Sequence, residues 1–132
     1  MNTAEVVNKF LEALGAQEAD AIGALFAADI DWYVPGDDAL PWTGTRSKRQ
    51  EVADYFRTMW PAFRSGESVV DVEAILIDGE DAAVFSQFSH VAETTGRRFS
   101  TPSALHIKVH NGAIVRLHLY EDTAAVSQAF FG

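Results

Sequence analysis

The sequence contains no cysteine, and basic residues are scarce in it. Without cysteine the chain cannot form a disulfide, a thiol nucleophile, an iron–sulfur cluster or a thiolate zinc site. Its 10 Lys and Arg residues stand against 19 Asp and Glu residues, which gives a formal net charge of −9 at pH 7. This charge repels nucleic-acid phosphates and anionic membrane surfaces. We therefore expect neither nucleic acid nor a membrane as a partner.

Long apolar runs are also missing, as residues 1–14 illustrate. Glu5, Lys9 and Glu12 interrupt the apolar residues of this segment. It therefore lacks the continuous apolar stretch of a signal peptide or a membrane span, and we expect a cytoplasmic protein.

Motifs of several large enzyme classes are absent as well. The sequence has no His-Glu-x-x-His, Gly-x-x-x-x-Gly-Lys, Gly-x-Gly-x-x-Gly or Gly-x-Ser-x-Gly pattern. Zinc peptidases, NTPases, dinucleotide oxidoreductases and α/β-hydrolases thus lose their usual support. His106 and His110 are four residues apart, a spacing that on a strand separates them by about 13 Å, too far to share one ion. We expect no metal and no cofactor.

The apolar pattern predicts a mainly helical first half and an extended second half. Apolar residues recur at spacings of three and four over residues 6–14, 22–26 and 52–60, which predicts three helices. Asp29–Val34 alternates between apolar and polar residues, and four more alternating segments make up the second half. No repeat or linker interrupts the chain. We expect one domain over residues 1–132, of the α+β class, with the helices on one face of a curved, mainly antiparallel sheet.

Turn signals set the predicted register of this sheet. Asn111-Gly112 is a type I′ turn signal, so Val109 should pair with Ile114. Extended along the two strands, this register pairs Leu105 with His118, Ser103 with Tyr120 and Thr101 with Asp122. A turn at Thr95-Gly96 pairs Ser86 with Leu105, Phe88 with Ser103 and His90 with Thr101. One row on a single face is therefore predicted to read His90, Thr101, Asp122.

The element order and four local motifs carry a resemblance to a known superfamily. The motifs are the segments 26–36 (FAADIDWYVPG), 41–44 (PWTG), 111–114 (NGAI) and 120–123 (YEDT). With them the chain resembles the NTF2-like superfamily, particularly its SnoaL-like and ketosteroid-isomerase-related members. The resemblance implies a cone in which the sheet and three helices of the N-terminal half enclose a deep, mostly apolar pocket. It also implies a homodimer.

The catalytic residues of these relatives are only partly matched. At the position that resembles the carboxylate base of steroid isomerases, this chain has Val34. At the position that resembles their protonated carboxylic acid, it has Leu105. Relatives of limonene epoxide hydrolase have an arginine and an aspartate where this chain has Ser86 and Phe88. The resemblance leaves Asp122, which matches an acidic residue used by epoxide hydrolases and polyketide cyclases.

Asp122, His90 and His118 are the candidate catalytic residues. Asp122 can act as general acid or base if an apolar pocket raises its pKa, or it can simply cap a short helix that begins at Thr123. His90 can share a proton with Asp122 across the predicted row, or lie at a strand end facing solvent. His118 can bind a ligand carbonyl, or it can be a neutral core histidine bonded to Ser86 or Ser103.

The candidate substrate-binding residues are mainly aromatic. A flat, apolar ligand requires such a lining, and a tyrosine hydroxyl can add a hydrogen bond from an apolar wall. They are Tyr120, Trp32, Tyr33, Trp42, Phe88 and Ser103. The sequence thus predicts a small-molecule-binding protein that performs cofactor-free isomerase, cyclase or hydrolase chemistry on an apolar, oxygenated ligand. The alternative is a non-catalytic module for ligand binding or dimerisation.

Overall fold

A computed structural model describes all residues from Met1 to Gly132, and it has the predicted α+β organisation. The elements are α1 (Thr3–Gly15), α2 (Ala19–Gly23), β1 (Phe26–Val34), β2 (Gly44–Lys48), α3 (Gln50–Met59), a 3-10 turn (Trp60–Ala62), β3 (Val69–Asp78), β4 (Asp81–Val91), β5 (Arg98–His110), β6 (Ala113–Glu121) and α4 (Thr123–Phe131). The short polar strand β2 was not predicted. None of the helices is long and apolar enough to cross a membrane.

The six strands form one sheet in the order β2-β1-β6-β5-β4-β3. All neighbouring strands are antiparallel except β1 and β6, which are parallel. We call the face of this sheet on which the apolar core lies the inner face, and the opposite face the outer face. The core is centred on Trp32 of β1, whose ring lies 5.8 Å from Phe26 and 6.2 Å from Phe56 of α3. Phe10 attaches α1 to the same cluster, 6.3 Å from Phe26. Aromatic packing thus joins the helices to the sheet.

A β-bulge in β6 changes the register that the Asn111-Gly112 turn predicts. Val109 pairs with Ile114 as expected, but Lys108 pairs with Arg116, so Val115 is an extra residue on β6. A bulge of one residue moves every later side chain to the other face. Beyond this point the predicted pairing was wrong: Leu105 lies opposite Leu119, His106 opposite His118, and Ser103 opposite Glu121.

The pairing of β4 with β5 also differs from the prediction, but it keeps the same residues on the inner face. Ser86 pairs with Ser103, Phe88 with Thr101 and His90 with Phe99. The difference is two residues along the strand. Because side chains alternate with a period of two, a shift of two leaves their orientation unchanged.

We expect Ile107→Ala to destabilise the fold by about 2–5 kcal/mol, because Ile107 is fully buried between Ala82 and Leu117 on the inner face. Ile77→Ala is the matched control, since Ile77 on β3 is 44% exposed and should cost less than half as much. Urea denaturation of the two variants measures both effects. Equal losses would contradict the position of the core.

Candidate functional site

A cavity of about 980 Å³ lies between the inner face of the sheet and the helices. Its wall is mostly apolar, with side chains from α1, from α3, and from the sheet strands β1, β3, β4, β5 and β6. Most residues of the segment 59–68, which connects α3 to β3, also line the cavity, and we call the edge of the cavity that they form the rim. An apolar concavity of this size, with few polar groups, suits a small organic molecule.

A row of three polar side chains crosses the inner face within this cavity. Glu121 of β6 lies opposite Ser103 of β5, which lies opposite Ser86 of β4. Directly opposed side chains in a sheet lie about 5 Å apart at Cβ. The two serine hydroxyls are hydrogen-bonded at 2.7 Å and both residues are buried. We call these three residues the polar row.

Glu121 is the acidic residue of the polar row, and its environment favours the protonated form. Burial, together with the neighbouring charge of Asp122, raises the pKa of its carboxyl from 4.5 to about 7. No hydrogen bond and no cation contributes to the shift. Desolvation without a compensating partner is the physical cause. Both protonation states of Glu121 are therefore populated at neutral pH.

Tyr55 of α3 connects Glu121 to the aromatic core. Its ring lies 4.7 Å from that of Trp32, and burial and the Glu121 charge raise the pKa of its hydroxyl, which stays protonated. The Arg46 guanidinium lies 5.2 Å from the ring centre on the side of β2. Arg46 also donates hydrogen bonds to the carbonyls of Trp42 and Pro41, so it holds the loop before β2 against this wall.

His90 lies at the rim of the cavity and is held in the neutral form. Its ring stacks on Phe63 at 4.1 Å, and its Nδ1 is hydrogen-bonded to Ser68 Oγ at 2.6 Å. Burial, with a smaller contribution from the charge of Arg98, lowers the pKa of His90 to about 4. A neutral imidazole of this kind can accept or donate a hydrogen bond, but it binds a proton poorly at neutral pH.

Five of the nine candidate residues named from the sequence line the cavity: His90, Trp32, Trp42, Phe88 and Ser103. Tyr33 and Tyr120 are 42% and 58% exposed and are not part of its wall. The bulge at Val115 explains Tyr120, because it turns the even-numbered residues of β6 to the outer face. Whether the five lining residues bind a ligand stays a prediction.

His118 lies on the outer face rather than in the cavity. Its Nε2 is hydrogen-bonded to Asp31 Oδ1 at 2.7 Å, and Arg116 donates to the other oxygen of the same carboxylate at 2.9 Å. The hydrogen bond from His118 is the main reason that the pKa of Asp31 is lowered. The contact with Ser86 or Ser103, one of the two alternatives for His118, is therefore not formed, because those serines lie on the inner face.

Asp122 caps helix α4, which is the alternative to a catalytic role that the sequence left open. Its Oδ1 accepts a hydrogen bond from the backbone N–H of Ala125, in the first turn of α4. Its own N–H donates to Thr101 Oγ1 at 2.8 Å. The side chain is exposed and does not line the cavity, so the predicted row of His90, Thr101 and Asp122 is not formed.

Glu121 is the functional candidate that the sequence reasoning missed. A signal for it was present, because Leu117 and Leu119 alternate with polar residues on β6 and must face the core. Glu121 lies two residues after Leu119, so its side chain faces the same side of the sheet. The chain has no group of three or more His, Asp or Glu side chains arranged to hold a metal ion.

Comparison with known families identifies one match over most of the chain. The SnoaL-like domain family matches residues 7–117. No match was found among curated proteins.

Solved structures with the same fold cover nearly the whole chain. An NTF2-like protein of unknown function from Burkholderia pseudomallei is 21% identical, with a TM-score of 0.88 over 100% of this chain and 99% of that one. A protein with a ketosteroid isomerase-like fold from Catenulispora acidiphila, in complex with trimethylamine, is 18% identical with a TM-score of 0.77, over 96% and 92%. TerC co-crystallised with polyporic acid is 13% identical with a TM-score of 0.84, over 98% of both chains. At these identities the similarity shows the fold, which is NTF2-like.

We expect Glu121→Gln to make the protein more stable than the wild type at and above neutral pH. The folded-state pKa of about 7 lies above the ordinary 4.5, so the contribution of Glu121 to stability is fully present below pH 4.5 and is lost as the pH rises through 7. The wild type should therefore lose up to about 3 kcal/mol relative to the variant across this range. Urea denaturation from about pH 4.5 to about pH 8 measures the difference. Glu12→Gln, at an exposed position on α1, is the control and should show no such trend.

Proposed function

The chain belongs to the SnoaL-like family, and from this and the chemistry of its cavity we propose that it binds an apolar, oxygenated small molecule and performs acid–base chemistry on it. Glu121 is the proton-carrying group of this proposal. The reaction needs no cofactor and belongs to the isomerase, cyclase or hydrolase type. The observation that carries the proposal is a carboxyl group, in a mostly apolar cavity, whose pKa lies near neutrality.

The pKa of Glu121 suits it to both directions of proton transfer. A general acid or base works best when its pKa lies near the operating pH, because both forms are then available. Burial in an apolar cavity raises a carboxyl pKa in this way. The ionised form can take a proton from a C–H or O–H group of the ligand, and the protonated form can return it to another atom of the same ligand.

The rest of the polar row orients the ligand beside Glu121. Ser103 and Ser86 share one hydrogen bond, so whichever hydroxyl is not the donor in it keeps a proton free to donate to a ligand oxygen. Neutral His90 serves as a hydrogen-bonding group at the rim, since a pKa of about 4 makes it a weak base. The catalytic role expected of Asp122 stays a prediction, and the test below includes it.

The aromatic lining supports a flat ligand. Trp32, Trp42 and Phe88 line the cavity with Phe56 and Phe63. The two ligand-bound proteins of the same fold carry trimethylamine and polyporic acid, two organic molecules of very different size. They support small-molecule binding by this fold and leave the choice of ligand to the lining of each cavity.

We expect the protein to accelerate exchange of the protons next to the carbonyl of 2-tetralone in D2O. This apolar ketone is a probe for proton abstraction, and the rate should rise with pH and level off above about pH 7 as Glu121 ionises. Glu121→Gln should lower the rate by about 10²- to 10⁴-fold, because an amide cannot carry the proton. Proton NMR follows the exchange. Asp122→Asn is the matched control, since asparagine also caps helices: it should keep the rate reached at high pH, while the rate levels off at a lower pH because the charge that raises the pKa of Glu121 is removed.

The pattern of outcomes separates catalysis from binding alone. If 2-tetralone binds and its exchange is not accelerated, the non-catalytic ligand-binding module is the better description. If Asp122→Asn abolishes exchange and Glu121→Gln does not, the proton carrier is Asp122 and our assignment of Glu121 is wrong.

We further propose that residues 1–132 act as one domain, in the cytoplasm, and that two copies associate through the outer face. This face carries a row of opposed residues, Tyr120, Ala104, Phe85 and Ala74, on adjacent strands β6, β5, β4 and β3. Tyr120 is 58% and Phe85 is 40% exposed. Contiguous exposed apolar residues of this kind are typical of protein–protein interfaces.

We expect the purified protein to be a dimer by light scattering, and Phe85→Glu to convert it to a monomer by burying a charge in the interface. Phe131→Glu is the matched control, because Phe131 is 56% exposed on α4, away from the outer face, and should leave the dimer intact. A wild-type monomer at high micromolar concentration would contradict the proposed association.

A further inference from the structure

The cavity wall carries more negative than positive charge. Its charged residues are Glu121, Glu93 and Arg64. Arg64 lies within 4.0 Å of both Glu93 and Glu67, so its positive charge is shared between two carboxylates. His90 is held in the neutral form and adds no positive charge. When Glu121 is ionised, the cavity therefore contains one carboxylate without a counter-charge.

The groups around the Glu121 carboxyl leave it free for a ligand. Its side chain lines the cavity and lies opposite Ser103, whose hydroxyl is hydrogen-bonded to Ser86. Tyr55 is the ionisable group that faces it from α3, and this hydroxyl stays protonated. Asp122, the next residue along the chain, is a second negative charge. A ligand that brings its own positive charge would complete an ion pair that the chain leaves open.

Aromatic rings in the same wall suit a cationic ligand as well. The rings of Trp32 and Tyr55 lie 4.7 Å apart, and both residues line the cavity together with Trp42 and Phe88. The face of an aromatic ring attracts an ammonium group, and the face of tryptophan does so most strongly. The Tyr55 ring already attracts one cation, the Arg46 guanidinium, 5.2 Å from its centre. Aromatic rings and one unpaired carboxylate together form a wall that favours organic ammonium compounds.

We infer that the cavity binds protonated amines with an apolar body, and that their ammonium group pairs with the ionised carboxylate of Glu121. This inference rests on the ligand-binding role of the cavity in the proposed function, but not on proton transfer by Glu121. An ammonium group donates hydrogen bonds and carries a full positive charge, so it meets both needs of the carboxylate. An anionic ligand would lose its hydration without gaining a free cation.

Amines of this class are inhibitors of the proposed reaction rather than its substrates. An ammonium group beside Glu121 stabilises the ionised form, and a carboxylate held in that form cannot return a proton to a ligand. The apolar body of the amine also fills the space that a ketone would take. Bound amines should therefore slow the proton exchange of 2-tetralone.

The test uses four probes that share one bicyclic frame. 2-Aminotetralin carries an ammonium group, tetralin-2-carboxylate an anion, 2-tetralone a neutral carbonyl group, and tetralin no polar group. The amine is protonated throughout the range tested, because alkylammonium groups lose their proton only at about pH 10. Isothermal titration calorimetry measures each affinity. Repeating the titration in buffers with different heats of ionisation measures the protons released on binding.

We expect 2-aminotetralin to bind at least about tenfold more tightly than tetralin or tetralin-2-carboxylate at about pH 8. Its affinity should rise from about pH 6 to about pH 8, because the ionised form of Glu121 is the one that pairs and its pKa is about 7. At about pH 7 nearly half of the molecules must first lose the Glu121 proton. Binding should then release about half a proton.

Glu121→Gln should lower the affinity for 2-aminotetralin by about 10- to 100-fold, since an amide carries no charge. It should also remove the pH dependence and the proton release, because an amide does not titrate. Glu93→Gln is the matched control. Glu93 is the other carboxylate of the wall, but its side chain is 53% exposed and already lies beside Arg64. This variant should change the affinity by less than about threefold.

Three results would overturn the inference. The first is an affinity for 2-aminotetralin no higher than that for tetralin or tetralin-2-carboxylate. The second is binding without proton release in the wild type, or with the same release in Glu121→Gln. The third is an equal loss of affinity in Glu93→Gln, which would place the ammonium group at the rim. If Glu121→Gln does not fold, the pH series on the unaltered chain decides.

The same probes separate this inference from the proposed function. If 2-aminotetralin binds with proton release and the exchange of 2-tetralone is not accelerated, the acid–base proposal fails and the pairing with Glu121 stands. If exchange depends on Glu121 and the amine neither binds nor inhibits it, the pairing fails and the proposed function stands.

Discussion

The alternation of side chains along β6 is the constraint on which the rest of the cavity depends. Neighbouring residues on a strand face opposite sides of the sheet, so the register of one strand decides which of two adjacent carboxylates is buried. The extra residue Val115 puts Leu117, Leu119 and Glu121 on the inner face. The same displacement turns His118 and Tyr120 to the outer face, where His118 pairs with Asp31. The single extra residue Val115 thus decides which side chains of β6 face the cavity and which lie on the outer face.

Burial of one carboxyl without a partner gives the cavity its chemical character. A cation beside Glu121 would stabilise the ionised form and return its pKa toward the ordinary range. Arg46, the cation beside Tyr55, is engaged with the Tyr55 ring and with backbone carbonyls of the loop before β2. The unpaired N–H of Trp32 is a second polar group left without a partner in the same wall. Both groups cost stability in the folded chain, and a ligand that forms a hydrogen bond with Glu121 would recover part of that cost.

Much of the fold follows from the sequence, whereas the residues of the site depend on a bulge and a strand register that the sequence marks only weakly. The spacing of apolar residues in α1 and α3 and the Asn111-Gly112 turn predict the element order and the first pairs of β5 with β6, and these are confirmed. Val115 lies between Ile114 and Arg116, with no adjacent glycine or proline to mark a bulge. Strand β2 escaped prediction because its five residues are mostly polar and its pairing with β1 is a long-range contact. The apolar pattern of β6 predicts its orientation better than the turn does. If Leu117 and Leu119 are assigned to the core, Glu121 is predicted to face the same side of the sheet.

Asp122 and Glu121 show how adjacent carboxylates take different roles from the same strand end. The N–H of Asp122 is bound to Thr101, and its side chain caps α4, so the point at which β6 gives way to the helix is fixed by hydrogen bonds on both sides. That fixed point leaves Glu121 as the last residue of the strand, facing inward beside Ser103. The Asp122 charge then lies one residue away and raises the pKa of Glu121 beyond what burial alone achieves. In this structure Asp122 thus influences the cavity through its neighbour, as a cap and as a charge, while its own catalytic role stays a prediction.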